Sequence, residues 1–173
     1  MTAYSIRTFG DPVLKQRASE VTELSGDLER IVRTMFETMD EAHGVGLAAP
    51  QVGIQKRFFT YEVDEARGVV INPEIVDTRG EWVYDEGCLS VPGLSFEIAR
   101  PQIVTVRGID LDGREIVIEG DELMGRMLLH EIDHLDGVLL LDRLDPEVRR
   151  QALRDLRERE LAGTAPASGA RRL

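Results

Sequence analysis

The chain has 173 residues, of which 42% are hydrophobic and 31% charged, the composition of one globular domain large enough to bury its own core. A net charge of −11 argues against a general nucleic-acid binder. Apolar runs such as residues 127–129 and 138–141 are far too short to cross a bilayer.

Residues 1–11 hold neither a sustained apolar stretch nor an Arg/Ser-rich pattern. The single cysteine, Cys88, rules out an internal disulfide and suits a reducing compartment, so a cytoplasmic location is expected. In chain order, the first strong signal is an amphipathic helix over residues 27–43. Leu28, Ile31, Val32, Met35 and Met39 form its buried stripe, and Gly44 suits its C-terminal cap. Glycine and proline then break both periods through residues 44–53, an ordered loop or irregular edge segment. Short β signals follow at 57–63, 69–75 and 81–84, and a polar, turn-rich piece at 85–93 interrupts them. Strands at 103–109 and 115–118 flank Asp112-Gly113, a hairpin signal. The helical period returns after Asp121, with Leu123, Met127, His130 and His134 on or near one face, and Asp136-Gly137 ends that helix. A last helix spans 146–161, and residues 162–173 read as a disordered tail, leaving one domain over 1–161. The expected fold is α+β: antiparallel β-sheets packed around a central helix, with an N-terminal and a C-terminal helix.

That central helix carries His130-Glu131-Ile132-Asp133-His134. Two imidazoles four residues apart share one helical face and can hold one divalent metal ion. Glu131 stands beside them, where a carboxylate can take a proton from a water whose pKa the metal lowers. A two-histidine site needs at least one more protein ligand. Downstream candidates are Glu147, Glu158 and Glu160, on a highly charged helix that reads as a solvated face. Cys88 is the sharper candidate, since a thiolate binds zinc or iron strongly and Glu86-Gly87-Cys88-Leu89-Ser90 sits in a turn-rich piece where a core cysteine has no need to be.

Three segments now stand together: Gly44-Val45-Gly46-Leu47-Ala48-Ala49-Pro50-Gln51, Glu86-Gly87-Cys88-Leu89-Ser90 and His130-Glu131-Ile132-Asp133-His134. In this order and at these separations the chain resembles the peptide deformylases, enzymes that remove the N-formyl group from nascent bacterial polypeptides. The resemblance covers roughly residues 4–145. It implies that Cys88, His130 and His134 hold the metal with water in the fourth position. The ion is typically Fe2+, and Zn2+, Ni2+ or Co2+ can take its place. It implies further that this water attacks the formyl carbon with Glu131 as general acid/base, while the backbone N–H of Leu89 and the side-chain amide of Gln51 stabilise the oxyanion. The substrate peptide would run along Gly44, Val45 and Gly46 on one side and Glu86 and Gly87 on the other. Its methionine side chain would enter a pocket of Val45, Leu123, Met127 and the aliphatic part of Arg126.

Other positions read more plainly. His43 is a helix-end residue; Trp82 and Tyr84 pack in the sheet. Arg100 is a solvated surface arginine, with a carboxylate near the site as its alternative partner. The arginines at 149, 150, 154, 157 and 159 suggest docking of the last helix on the ribosome, as some relatives do, although Glu147, Asp155, Glu158 and Glu160 interleave with them. No nucleic-acid specificity and no membrane partner are expected. Two other readings stand beside the deformylase: a zinc peptidase or amidase with a downstream glutamate ligand, and a non-catalytic module with a structural metal.

Overall fold

In the computed structural model, which describes residues 2–163 and residue 173, the first long element is α1, Gly26–Glu41. Its stripe buries Leu28, Val32, Met35 and Met39. The helix ends two residues earlier than the periodicity suggests. Ala42 is the cap, His43 takes the left-handed conformation at φ 55°, and the N–H of Gly44 donates to Met39 O at 2.9 Å. This is a Schellman ending with histidine, not Gly44, in the left-handed position, which explains why His43 follows the helix without extending it.

The breaker-rich segment 44–53 resolves into an edge strand, β1 (Gly46–Ala48), and a single 3₁₀ turn, Ala49–Val52. Next come β2 (Phe58–Val63), β3 (Ala66–Arg79), β4 (Trp82–Cys88), β5 (Val91–Arg100), β6 (Ile103–Ile109) and β7 (Glu115–Asp121). Strands β1-β2-β3-β6-β7 make a five-stranded antiparallel sheet in that order, and β4-β5 form a separate two-stranded ribbon. The piece at 85–93 does not interrupt the β region. β4 runs on through Cys88, Leu89 and Ser90 make the turn, and β5 departs from Val91. Pro92-Gly93 signals a turn in the sequence, yet both strands of a two-stranded ribbon are edges, where proline removes no needed ladder bond.

Alternation sorts the sheet residues onto two cores. Phe58 and Ile71 face α1 with Leu28, Met35 and Met39. Phe59, Val70, Val104 and Val106 face the other way, onto α2 (Glu122–Leu135) and its Met127, Leu128, Ile132 and Leu135. Thus α2 is the central helix, almost wholly buried, and Gly137 at φ 73° turns the chain away after it. The last helix, α3 (Pro146–Ala162), lays Ala152, Leu153 and Leu156 on Cys88, Val91 and Ile98 of the β4-β5 ribbon. Of the segment expected to be a disordered tail, Ala162 ends α3 and Gly163 caps it; residues 164–172 lie outside the described residues. Leu173 departs from that expectation, being buried in the α2 core. Among the described residues no helix is long and apolar enough to cross a membrane.

Candidate active site and metal centre

The helical turn between His130 and His134 sets both imidazoles on one face of α2, with their Nε2 atoms 3.2 Å apart. The end of β4 delivers Cys88 to the same point, its Sγ 3.3 Å from His134 Nε2. One ligand atom from each of the three lies within 4.8 Å of the others, and all three residues are buried. A tetrahedral ion bonded to nitrogen at about 2.0–2.1 Å and to sulfur at about 2.3 Å holds its ligand atoms roughly 3.3–3.6 Å apart, and the two separations at His134 lie close to that spacing. Glu147, Glu158 and Glu160 are exposed on α3 and take no part. Among the described residues these three could hold an ion, and an ion held by three protein atoms keeps a fourth position open, as catalytic sites do and structural ones do not.

Behind the ligands lies a buried ionic network that the sequence does not announce. Glu86 accepts from His130 Nδ1 at 2.6 Å. It also receives two hydrogen bonds from Arg100, at 2.6 and 2.7 Å, and one from Arg126 at 2.6 Å. Burial alone would push the Glu86 carboxyl up. The hydrogen bonds from Arg100 and His130 outweigh burial and hold it well below the usual carboxylate range. For His130 burial pulls down, and the neighbouring Cys88 and Glu86 overcome it, raising the ring well above its ordinary value. A carboxylate on Nδ1 keeps the proton there and turns Nε2 toward Cys88 and His134, the outer support that metal-binding histidines characteristically receive. Arg100 is therefore not a solvated surface residue: it is 4% exposed, and its remaining donor reaches Asp133 Oδ2 at 3.1 Å.

Glu131 sits on the adjacent face of α2, fully buried, and among the described residues neither of its carboxylate oxygens has a hydrogen-bond partner. Burial pushes its carboxyl up to about 7, although the proximity of His130 works against the rise. The Ala48 N–H, which lies near enough to Glu131 to favour its charged form, donates to Gln51 Oε1 at 2.8 Å. That bond turns the Gln51 amide so that Nε2 faces Ser90 Oγ at 3.1 Å and Cys88 Sγ at 4.0 Å. Gly46 packs directly on the Glu131 side chain. A Cβ at that position would lie 2.9 Å from Glu131 Cδ and 3.0 Å from Cγ, and would strike Oε1 more closely still.

A cleft of about 620 Å³ reaches Gly87, the residue before Cys88. Of the residues the sequence offers for substrate contact, Val45, Gly87 and Leu123 line it, together with Trp82, Tyr84 and Leu173. Trp82 and Tyr84 do stack in the sheet, 4.4 Å between ring centroids, but they also form a wall of this cleft. Alternate residues of a strand share a face, so their pairing was legible and their address was not. Four other expected substrate residues lie elsewhere. Met127 is in the α2 core, Gly44 closes the α1 ending, and Glu86 and Arg126 belong to the ionic network. Arg126 is 1% exposed, and its guanidinium donates to Glu86 and to the carbonyls of Trp82 and Ile98. The Leu89 N–H donates to Leu173 O at 3.0 Å.

Three clustered groups that could hold a metal ion, with a buried carboxylate on the adjacent face of α2, are an arrangement that fits a metal-dependent hydrolase. Residues 3–150 match the polypeptide deformylase family, and the chain belongs to it. It is 45% identical over 163 residues to a peptide deformylase of Acidothermus cellulolyticus, spanning 94% of this chain and 91% of that one. A crystal structure of a Legionella pneumophila peptide deformylase superposes with a TM-score of 0.90 at 37% identity, covering 95% of this chain and all of the other. A peptide deformylase of Ehrlichia chaffeensis, solved in complex with actinonin, gives 0.89 at 37% identity over 92% of this chain and 99% of its own.

Proposed function

We propose that this deformylase releases formate from the N-terminal formylmethionine of newly synthesised polypeptides in the cytoplasm. Cys88, His130 and His134 hold one divalent ion, Fe2+ by preference, with Zn2+, Ni2+ or Co2+ as substitutes, since sulfur and imidazole donors suit all of these. Such an ion supplies Lewis acidity and lowers the pKa of a coordinated water toward neutrality. Glu131 then takes the water's proton on a carboxylate oxygen that no other group occupies, and passes it to the departing amine. The oxygen of the tetrahedral intermediate accepts from the Leu89 N–H and from Gln51 Nε2. The Ala48 bond already fixes the Gln51 amide in orientation, so no rearrangement is needed at the moment of reaction.

The edge strand supports an extended substrate. Glu62 N–H donates to Val45 O at 2.8 Å, and Gly46 faces Tyr61 across the ladder. In an antiparallel pair this register turns the N–H and C=O of Gly46 to the open edge, where a peptide backbone can add as a strand. Val45, Gly87 and Leu123 then flank the substrate's first side chain.

The observation that carries this reading is the isolated carboxylate of Glu131, buried against the metal cluster and free of partners. The test is formate release from a formyl-Met tripeptide by protein prepared without oxygen and loaded separately with iron, nickel or zinc. Metal-dependent formate release that also yields to actinonin supports the reading. Bound metal at one ion per chain with no formate released refutes it. Docking on the ribosome is proposed for the exposed arginines of α3, Arg150, Arg154 and Arg157. Reversing those three charges leaves the apolar face of α3 intact, and unchanged co-sedimentation with ribosomes rejects the docking.

A further inference from the structure

We propose that Leu173 is an intramolecular ligand of the substrate cleft, a residue of this chain that occupies the place of the substrate's first residue and competes with it. The inference rests on the reading that the cleft receives a formylmethionyl peptide. Three observations carry it. Leu173 is 4% exposed and belongs to one core cluster with Val45, Met127 and Leu128. Its side chain lines the same cleft as Val45, Trp82 and Leu123. Its carbonyl oxygen accepts the Leu89 N–H at 3.0 Å, the donor assigned above to the reacting oxygen. A leucine side chain is close to methionine in size and, like it, unbranched at Cβ. The side chain in the cleft and the carbonyl on the Leu89 N–H take up both places that a formylmethionyl group needs, so the two exclude each other, although Leu173's carbonyl carbon is bonded to Cα and the formyl carbon to the methionine nitrogen.

An intramolecular occupant lowers apparent substrate affinity by the fraction of molecules in which the cleft is free, without altering the chemical step once substrate is bound. The ligand class follows from the contacts: a peptide with a leucine-like side chain and a free carbonyl, needing no formyl group.

The test uses the full chain and its Leu173→Asp variant. Trp82, the single tryptophan, lines the cleft and reports occupancy without any turnover. A blocked peptide of residues 164–173 changes Trp82 emission saturably in the variant and far less in the parent, whereas the same peptide carrying aspartate at its last position changes neither. KM for a formyl-Met tripeptide falls about five- to tenfold in the variant, with kcat within about twofold. Leu173→Met, which retains the occupant, keeps the parent's KM. Equal KM and equal emission in parent and Leu173→Asp, with no response to the peptide, overturn the proposal. If the emission responds as expected but no chain releases formate, the ligand assignment stands and the deformylase reading of the substrate falls. If the parent's emission changes with dilution, the occupant comes from a second copy and the intramolecular proposal fails.

Discussion

Replacing Gly46 with alanine tests whether the position of Glu131 is set by the neighbouring strand. The new Cβ would stand 2.9 Å from Glu131 Cδ, whereas ordinary contact begins at 3.4 Å, so the carboxylate must move by roughly 0.5 Å at Cδ and further at Oε1. The backbone of Gly46 is not in a left-handed conformation, so alanine introduces no torsional strain there. Crowding costs about 1–3 kcal/mol, and the reduced freedom of the unfolded chain returns about 0.4–1. The net loss of stability is at most about 2–3 kcal/mol, a Tm decrease of no more than about 10 °C in a domain of this size. A carboxylate displaced by on the order of 1 Å from the proton it must take costs about 10–100-fold in rate. The expected result is a kcat for formate release reduced about 10–100-fold, with metal stoichiometry unchanged, because the three atoms nearest the new Cβ all belong to Glu131 and none to Cys88, His130 or His134. A variant that binds metal and turns over within about twofold of the parent would show that Glu131 is free to reposition and that the strand does not set it.

The other expectations concern the cluster and its support. Cys88→Ser replaces a thiolate by a poor ligand, so bound metal after dialysis falls at least about tenfold; full retention would return the third ligand to one of the downstream glutamates. Glu131→Gln keeps one ion per chain but loses at least about 100-fold in kcat, and retained turnover would remove Glu131 from proton transfer. Arg100→Met leaves Glu86 buried with one of its cations gone and costs about 3–5 kcal/mol in denaturant unfolding; a cost below about 1 kcal/mol would make the ion pair dispensable. The Glu86 carboxyl is held below its ordinary value of 4.5, so its stabilising contribution is complete above that pH and declines as the pH falls further toward the folded-state value. Stability measured below pH 4.5 should accordingly fall less steeply in Glu86→Gln than in the parent, and parallel slopes would contradict the assignment.

How much of this was legible in the sequence depended on the distance over which each feature is encoded. His130, Glu131 and His134 lie within one helical turn, and their shared face follows from helix geometry alone. The Schellman ending of α1 was blurred because glycine usually takes the left-handed position, and here His43 does. Cys88 was reached by an argument whose premise the fold does not support. It ends a strand instead of sitting in a turn, and it reaches the histidines because the β4-β5 hairpin closes directly after it. Arg100 was misjudged because an isolated arginine is normally solvated. What buries it is the pairing of β5 with β4, which opposes Arg100 to Trp82 and brings its guanidinium to Glu86. Leu173 gave no local signal at all, since a small, polar segment precedes it and only the assembled cleft gives it somewhere to go.

Glu86 and Glu131 show how one fold prepares two buried carboxylates for opposite tasks. Both are fully buried, and desolvation is the largest influence on each. Around Glu86 the chain places two arginines and His130, which stabilise the charge so strongly that the carboxylate never takes up a proton near neutrality. It therefore acts as a fixed anion that orients the imidazole of His130, one of the three groups that could hold a metal ion. Around Glu131 it places Gly46, where no side chain fits, and an Ala48 N–H already engaged by Gln51. Burial outweighs the influences that favour its charge, namely His130, the Ala48 N–H and Arg100, so Glu131 is left with a proton affinity near neutral pH, the range in which a group can both accept a proton from water and give it to an amine. Exchanging these surroundings would exchange the roles: a donor aimed at Glu131 would lower its affinity and weaken it as a base, whereas removing Arg100 would let Glu86 take up a proton and release His130.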